Sequence, residues 1–325
     1  MSEAEGNEKI AVDPDVYITN ASLEEDNRSE TTSISSSIYR GLIENGRRSP
    51  ADDLQFESLE AGHAVAIVLE SDTSNPLFRA PVGSSAKNIL DIGTGNGLWA
   101  IDVADMFPET TVRGVDIFPP PVTWMPPNCI LEVDDVLREW TWREPFDFIH
   151  LRIMLGAFTE KEWDIVYQKC YENLKPGGWI EQLELDAHLE ADDDSVPGDS
   201  MAASWGDVTF GCAERSGRRI DTLNTMSSSI ERAGFFDLKE KISKWPIGAW
   251  PKDKQLKEAG LINYHMWSAG LEGWGMWLLT KFGTPNPWSP EQVQAYVGKI
   301  RTELKNPKVH AYQRARRVWA RKPLD

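Results

Sequence analysis

The sequence predicts an α/β fold built on a mostly parallel sheet. Short apolar runs typical of buried strands alternate with segments of helical periodicity between residues 88 and 184. One run, Ile89–Ile92, leads into a glycine-rich turn, and a helical pattern from Leu98 to Met106 follows until Pro108 stops it. A strand, a glycine turn and a helix in succession form the ligand-binding unit of open α/β sheets. The chain of 325 residues is long enough for a full core of this kind.

The glycine-rich turn has glycine at every second position from residue 93 to residue 97. Glycine permits positive φ and lets a ligand approach the backbone closely. The dinucleotide fingerprint needs a further glycine at the position of Leu98, and a P-loop needs a lysine, so neither motif is present. Asp91 places a negative charge where a pyrophosphate would be repelled. We therefore expect a ligand with positive charge near the turn, and S-adenosylmethionine carries both an ammonium and a sulfonium group.

A second acidic residue, Asp116, ends the next predicted strand, which begins at Val112. It lies about 20 residues beyond the glycines, the spacing of a ribose-binding carboxylate. A carboxylate at this place can accept hydrogen bonds from both ribose hydroxyls. The alternative is a solvated residue at a strand end, but the glycine turn upstream favours the ribose role.

The motif from Asp91 to Gly97 resembles motif I of class I S-adenosylmethionine-dependent methyltransferases. More narrowly, the chain resembles the LaeA-like family of fungal methyltransferases from about residue 35 to its end. The segments that carry this resemblance are Ile38–Tyr39, Glu44–Arg48, Asp134–Asp135, Phe146–Arg152 and Leu174–Trp179. It implies a Rossmann-like fold with a mostly parallel seven-stranded sheet, an antiparallel last strand and a helical cap insertion.

The resemblance also implies cofactor contacts from the glycine turn and from the strand ends that follow it. These residues are Asp91, Gly93, Thr94, Gly95, Asn96, Gly97, Asp116, Ile117, Asp134, Asp135 and Val136. In the family, an acid after the third strand binds the adenine amino group. This acid belongs to an Asp-Ala-like pair, which Asp135 and Val136 match better than Asp134 and Asp135 do. For Asp134 a solvated turn is an equal alternative.

The N-terminal part is predicted to hold a lid over the cofactor. Residues 1–30 are polar and acidic with few apolar anchors, which predicts a disordered tail. Residues 31–86 are predicted to form a helical segment. Tyr39 and Arg48 would belong to the lid, with Arg48 meeting the methionine carboxylate. The alternative role for Arg48 is a cation at a helix end.

A helix is predicted over Asp53–Leu69, where His63 is interpreted as a partly buried structural histidine. Further along, the fourth strand, Phe146–Leu151, brings His150 and Arg152 to the edge where open sheets bind ligands. His150 is the best-placed proton acceptor near the methyl group. The alternative, a structural hydrogen bond from His150, is slightly favoured. Both His150 and Arg152 are expected near the pocket, and Arg152 is counted among the cofactor-binding residues.

The predicted cofactor-binding core spans residues 87–184 and ends with a turn over Lys175–Gly178 and a fifth strand over Trp179–Glu184. A helical cap insertion over residues 185–233 follows, and it begins with a polar loop from His188 to about Ser200. Its two predicted helices, Met201–Ala213 and Leu223–Ala233, are expected to lie over the ligand edge of the sheet. Residues 234–325 are predicted to complete the sheet and to add a second helical cap that faces the substrate. Tryptophans in the predicted helix Lys254–Phe282 either fill the core of this cap or line an apolar acceptor pocket, since ligand sites are mainly apolar.

Composition narrows the classes of function. A net charge of −17 argues against binding nucleic acid through its phosphates. No apolar run is long enough to serve as a signal segment or to span a membrane. The three cysteines show no metal-binding spacing and are expected to be reduced, buried thiols of an intracellular protein. The expected location is the cytoplasm, with the nucleus as an alternative.

Three functions remain open at this point. The first is a methyltransferase that acts on a small molecule in fungal secondary metabolism. The second is a regulator of the LaeA type that acts with velvet-type protein partners. The third is a protein that binds the cofactor without activity, although the intact glycine turn and Asp116 argue against it.

Overall fold

A computed structural model describes residues 8–16, 53–71 and 73–325, and these ranges form a layered α/β structure. Its elements are α1 (Asp53–Leu69), β1 (Asn88–Ile92), α2 (Leu98–Met106), β2 (Thr111–Asp116), β3 (Cys129–Val133), β4 (Phe146–Arg152), α3 (Glu160–Asn173), β5 (Leu174–Glu190), α4 (Met201–Ser216), α5 (Thr222–Arg232), β6 (Phe236–Pro246), α6 (Lys254–Phe282), α7 (Pro290–Lys305) and β7 (Tyr312–Arg321).

The seven strands form one sheet in the order β3-β2-β1-β4-β5-β7-β6. Neighbours from β3 to β5 run parallel, whereas β7 lies antiparallel between β5 and β6. The order reverses between β1 and β4, and ligands bind at such a point in open α/β sheets. The predicted fold class is therefore confirmed.

Helices cover both faces of the sheet. This explains why β1 has apolar residues at adjacent positions and not only at every second position. Leu90 and Ile92 join a cluster with residues of α3 and α5, whereas Ile89 packs with Trp99 of α2 on the other face. On that second face, α1, α4, α6 and α7 build a further apolar cluster around Leu183.

The second helix of the predicted cap lies elsewhere. α4 contacts α6 and α7, as expected for a cap, but α5 contacts α3 and the strands β5, β6 and β7. Its buried side chains Met226 and Ile230 belong to the same cluster as Val166 and Tyr167 of α3. The prediction that α5 covers the ligand edge is thus wrong, because its apolar stripe is buried against the opposite face of the sheet.

β5 is longer than predicted at both ends. It begins in the segment predicted as a turn before Trp179, and it continues to Glu190 through residues predicted to form a loop. The cause is the partner strand, since β5 pairs with β7 as far as Glu190 opposite Tyr312. Local sequence holds no signal for a partner more than 100 residues away.

Residues 8–16 depart from the predicted disordered tail. Val12 forms a β-bridge with Pro251, and the backbone N–H of Asp13 donates to the carbonyl of Trp250 at 2.7 Å. The Asp13 carboxylate pairs with Lys257. The remaining tail and the predicted lid residues Tyr39 and Arg48 lie outside the described residues. Within the described ranges, no helix has the length and apolar character needed to cross a membrane.

Candidate cofactor-binding and active site

A cavity of about 450 Å³ opens at the carboxyl edge of β1, β2 and β4, beneath α1, α4 and α6. Most of the residues predicted to bind the cofactor border it. They are Asp91, Gly93, Thr94, Gly95, Asn96, Asp116, Ile117, Asp134, Val136 and Arg152. Gly97, Asp135 and His150 do not border the cavity.

The glycine turn uses positive φ at all three glycines, with values of 71° at Gly93, 58° at Gly95 and 80° at Gly97. A Cβ on Gly93 would lie 2.2 Å from the sulfur of Met154, and one on Gly97 would lie 2.7 Å from Leu131. Positive φ therefore favours glycine at all three positions, and a side chain at Gly93 or Gly97 would also displace Met154 or Leu131. Gly97 also starts α2 without a side-chain cap of its own, and the Asn96 side chain accepts a hydrogen bond from the backbone N–H of Leu98 at 3.3 Å.

Asp116 is tied to the glycine turn. Its Oδ2 accepts a hydrogen bond from the backbone N–H of Gly95 at 2.9 Å, and its Oδ1 accepts one from Phe118 at 3.1 Å. Burial raises the pKa of this carboxyl group, although the backbone hydrogen bonds oppose that shift. A carboxylate has about four lone-pair sites, so Asp116 keeps acceptor capacity for a ribose hydroxyl.

At the end of β3, the acid that borders the cavity is Asp134, whereas the sequence favoured Asp135. Asp134 is exposed, and its Oδ1 accepts a hydrogen bond from the backbone N–H of Asp135. The Asp135 carboxylate accepts the backbone N–H of Leu137 at 3.0 Å. Val136 also borders the cavity, so the backbone here can reach an adenine ring from the side.

His150 is fully buried in the sheet beside the cavity. Its Nδ1 lies 2.8 Å from Oδ1 of Asp91, and its ring stacks on Trp99 with centroids 3.8 Å apart. Burial lowers the pKa of His150, so the ring is neutral at pH 7. This geometry supports the structural alternative, in which His150 orients Asp91; the catalytic role stays a prediction.

Arg152 borders the cavity at the end of β4, and its guanidinium makes no hydrogen bond or ion pair with any described residue. Burial lowers the pKa of Arg152 to about 10, while the charge of Asp91 raises it. Arg152 is thus a cation at neutral pH whose hydrogen-bond donors are available to a ligand.

Sequence reasoning missed the position of His63, which is buried and lies in the cavity wall. Its Nε2 is 2.9 Å from the Asp102 carboxylate, while Nδ1 has no hydrogen-bond partner among the described residues. Burial lowers the pKa of His63. The signal for this position was weak, because helix α1 shows no glycine turn or strand end that would mark a ligand edge.

Glu184 of β5 is a second residue that sequence reasoning missed. Both of its carboxylate oxygens lie 3.1 Å from the backbone nitrogen of Met154, which donates to them from the loop after β4. Gln182 donates to Glu184 at 2.8 Å and accepts from the Tyr167 hydroxyl at 2.7 Å. Because Met154 contacts Gly93, this buried chain of hydrogen bonds fixes the cavity wall next to the glycine turn.

The far side of the cavity is apolar. Trp205 of α4 and Trp267, Trp274 and Trp277 of α6 border it. Trp267 is almost fully buried and donates a hydrogen bond from Nε1 to Gln313, whereas Trp274 and Trp277 are half-buried. Both interpretations of the tryptophans therefore apply, since some rings fill the core and others face the cavity.

The residues at this edge fit S-adenosylmethionine. The backbone at Gly93 and Gly97 has no room for a Cβ, Asp116 offers hydroxyl acceptors, and the buried hydroxyl of Thr94 has no partner among the described residues. Next to them lie an anion, Asp91, and a cation, Arg152, which suit the two charges of an amino-acid group.

The chain is similar to known methyltransferases. A family model described as a methyltransferase domain matches residues 70–238. The chain is 34% identical to methyltransferase pytC of Aspergillus terreus over 96% of this chain and 95% of that protein. It is 32% identical to the secondary metabolism regulator LAE1 of Cochliobolus heterostrophus over 88% of this chain and 92% of that protein. It is 27% identical to the protein-methionine methyltransferase laeA of Emericella nidulans over 88% of this chain and 75% of that protein.

Proposed function

This chain belongs to the LaeA-like family of fungal class I S-adenosylmethionine-dependent methyltransferases, and on that premise we propose that it methylates a small, largely apolar molecule of secondary metabolism. One observation carries the proposal, namely the tryptophan-lined part of the cavity. It belongs to the same cavity as the glycine turn, so an acceptor held there would share that cavity with the cofactor.

The size and lining of the cavity suit a small acceptor. The cavity of about 450 Å³ has to hold the cofactor as well, so the space left beside it suits only a small acceptor. The walls come from α1, α4 and α6, and Trp274 and Trp277 offer aromatic surface that favours flat apolar ligands.

S-adenosylmethionine, when bound, supplies an electrophilic methyl group. The residues of this chain then act mainly by holding the cofactor and the acceptor in place. Glu184 holds Met154 in the cavity wall next to Gly93, and helices α4 and α6 cover the space for the acceptor. Holding two reactants in line accounts for a large part of the acceleration in reactions of this kind.

A second candidate is a regulator of the LaeA type that acts with a velvet-type protein partner. The similarity to LAE1 over most of both chains supports it. In that case the methyl acceptor, if there is one, is a protein. The two candidates differ in the size of the labelled product.

The experiment incubates the purified protein with S-adenosylmethionine labelled in its methyl group and an extract of a strain that lacks this gene. Such an extract accumulates the unmethylated acceptor. We expect label in the small-molecule fraction. Label confined to the protein fraction would favour the regulator instead, and no transfer despite cofactor binding would indicate an inactive protein.

A variant locates the acceptor site. Trp274→Ala should reduce transfer to the small-molecule fraction about 5- to 150-fold while cofactor affinity stays nearly unchanged, because ring stacking on an aromatic side chain is worth about 1–3 kcal/mol. Trp124→Ala is the matched control, since Trp124 is 70% exposed and does not border the cavity. Equal transfer by both variants would contradict the proposed acceptor site.

A further inference from the structure

The order of the strands fixes how a cofactor must lie along the cavity. Asp134 follows β3, Asp116 ends β2, Asp91 lies in β1 and Arg152 ends β4, and these strands are neighbours in that order. Asp116 suits the ribose, and the adenine then extends towards β3. The amino-acid end of the cofactor must therefore extend the other way, over β1 and β4. This step rests on the cofactor of the methyltransferase function proposed above.

We infer that His63, held by Asp102, accepts a hydrogen bond from the α-ammonium group of the cofactor, and that Arg152 binds the neighbouring carboxylate. His63 projects from α1, a helix whose residues Leu59 and Gly62 also border the cavity. No motif in α1 marks it as a ligand-binding helix, so the inference depends on the three-dimensional arrangement.

The hydrogen-bond pattern fixes the tautomer of His63. An ionised carboxylate only accepts hydrogen bonds, so the Nε2 of His63, 2.9 Å from Asp102, must carry the proton. Nδ1 of the neutral ring is then an acceptor. It is buried and has no partner among the described residues, and an unsatisfied buried acceptor is costly unless a ligand donates to it.

Burial keeps this ring neutral, and the charges around it favour a zwitterionic ligand. Burial is the main cause that lowers the pKa of His63; the nearby charge of Arg152 lowers it further, while Asp102 and Asp91 raise it. A ligand with a cation alone would be repelled by Arg152. A ligand with an ammonium and a carboxylate on one carbon satisfies His63, Asp91 and Arg152 together.

Asp91 completes the subsite. One of its oxygens is engaged by Nδ1 of His150 at 2.8 Å, and its second oxygen accepts no hydrogen bond from a described residue. His150 therefore orients Asp91, as Asp102 orients His63. His63 and Asp91, which each offer a hydrogen-bond acceptor, and Arg152, whose guanidinium has no partner among the described residues, thus all border the cavity.

The test compares two ligands by calorimetry, without any transfer reaction. S-adenosylhomocysteine has the amino-acid end, whereas 5′-methylthioadenosine has the same nucleoside and sulfur but lacks that end. We expect His63→Phe to weaken binding of S-adenosylhomocysteine about 10- to 100-fold, the range for a hydrogen bond to a charged group. Binding of 5′-methylthioadenosine should change less than about twofold, because no contact with the nucleoside is altered.

Two further variants keep the test decisive. His265→Phe, at an exposed histidine of α6, is the matched control and should bind both ligands as the wild type does. Asp102→Ala removes only the orienting carboxylate, which is 40% exposed, and should produce a smaller loss selective for S-adenosylhomocysteine even if His63→Phe does not fold.

The inference would be overturned if His63→Phe and Asp102→Ala weakened both ligands equally or neither of them. Each of these results leaves the proposed methyltransferase function intact, since wild-type binding of S-adenosylhomocysteine is measured separately.

Discussion

Two histidines show what sequence can and cannot tell at the scale of single residues. The strand end at His150 marked it as a ligand-edge residue, yet its side chain is buried against Trp99. His63 had no such mark, yet it borders the cavity. A strand pattern shows that successive side chains alternate between faces, but the helix that covers each face is set by distant residues. Asp116 and the glycine turn were predictable because their chemistry is local.

The structural role of His150 gives the first prediction. His150→Ala should lower the free energy of unfolding by about 3 kcal/mol, because a buried ring and its stack on Trp99 are lost. Affinity for S-adenosylhomocysteine should fall as well, since Asp91 loses the partner that orients it. Chemical denaturation and calorimetry provide both values.

His265→Ala serves as the control for that change, because His265 is exposed. A variant at His150 with normal stability and normal cofactor affinity, but with transfer slowed roughly 10²- to 10⁴-fold, would instead identify His150 as a general base. In that case the ring would have to become accessible to the acceptor during the reaction.

At the scale of elements, strand and helix order were predictable, whereas strand lengths and the place of α5 were not. The glycine turn, the capping box at Thr159 and the apolar runs are local signals. The extension of β5 depends on β7, and the position of α5 depends on an apolar face presented by α3. The tryptophan-lined cavity could be anticipated only as an alternative, because helical spacing suits core and pocket equally.

Glu184 links two elements and gives a prediction on pH. Burial raises its pKa from the ordinary 4.5 to about 7, although Gln182 and Met154 donate hydrogen bonds to it. Between these values the folded protein keeps a proton that the unfolded chain has released. Stability therefore falls as pH rises from about 4.5 to about 7, by up to roughly 3 kcal/mol.

Glu184→Gln should remove this loss and be more stable than the wild type above pH 7. The amide of Gln182 can reverse to suit the new side chain, because the Tyr167 hydroxyl can either donate or accept. Urea unfolding at pH 4.5, 6 and 8 measures the effect. Glu258→Gln, at an exposed glutamate, should keep the wild-type slope, and identical slopes for both variants would contradict the assignment.

At the scale of the whole molecule, chain segments far apart in sequence stabilise one another. Glu181 of β5 accepts the backbone N–H groups of Arg79 and Ala80 and pairs with the buried Arg317 of β7. The segment before β1 is thereby held against the sheet. Residues 8–16 lie in the same way beside the start of α6, and their partners follow more than 170 residues later. Composition averaged over an acidic tail cannot reveal such partners.

The attachment of residues 8–16 gives the last prediction. Deleting residues 1–16 removes the Val12 bridge to Pro251, the ion pair between Asp13 and Lys257, and the burial of Val16, which is only 4% exposed. Burying one valine side chain contributes about 1.5–3 kcal/mol. We therefore expect the melting temperature to fall by several degrees, since each kcal/mol shifts it by about 2–4 °C in larger domains.

Deleting residues 1–7 is the control, because it leaves every one of these contacts in place and should not change the melting temperature. Affinity for S-adenosylhomocysteine should be similar in both truncations, since residues 8–16 do not border the cavity. Equal melting temperatures for the two truncated proteins would show that the segment adds no stability. In that case its contacts with Trp250 and Lys257 would merely offset the entropy lost when the segment is ordered.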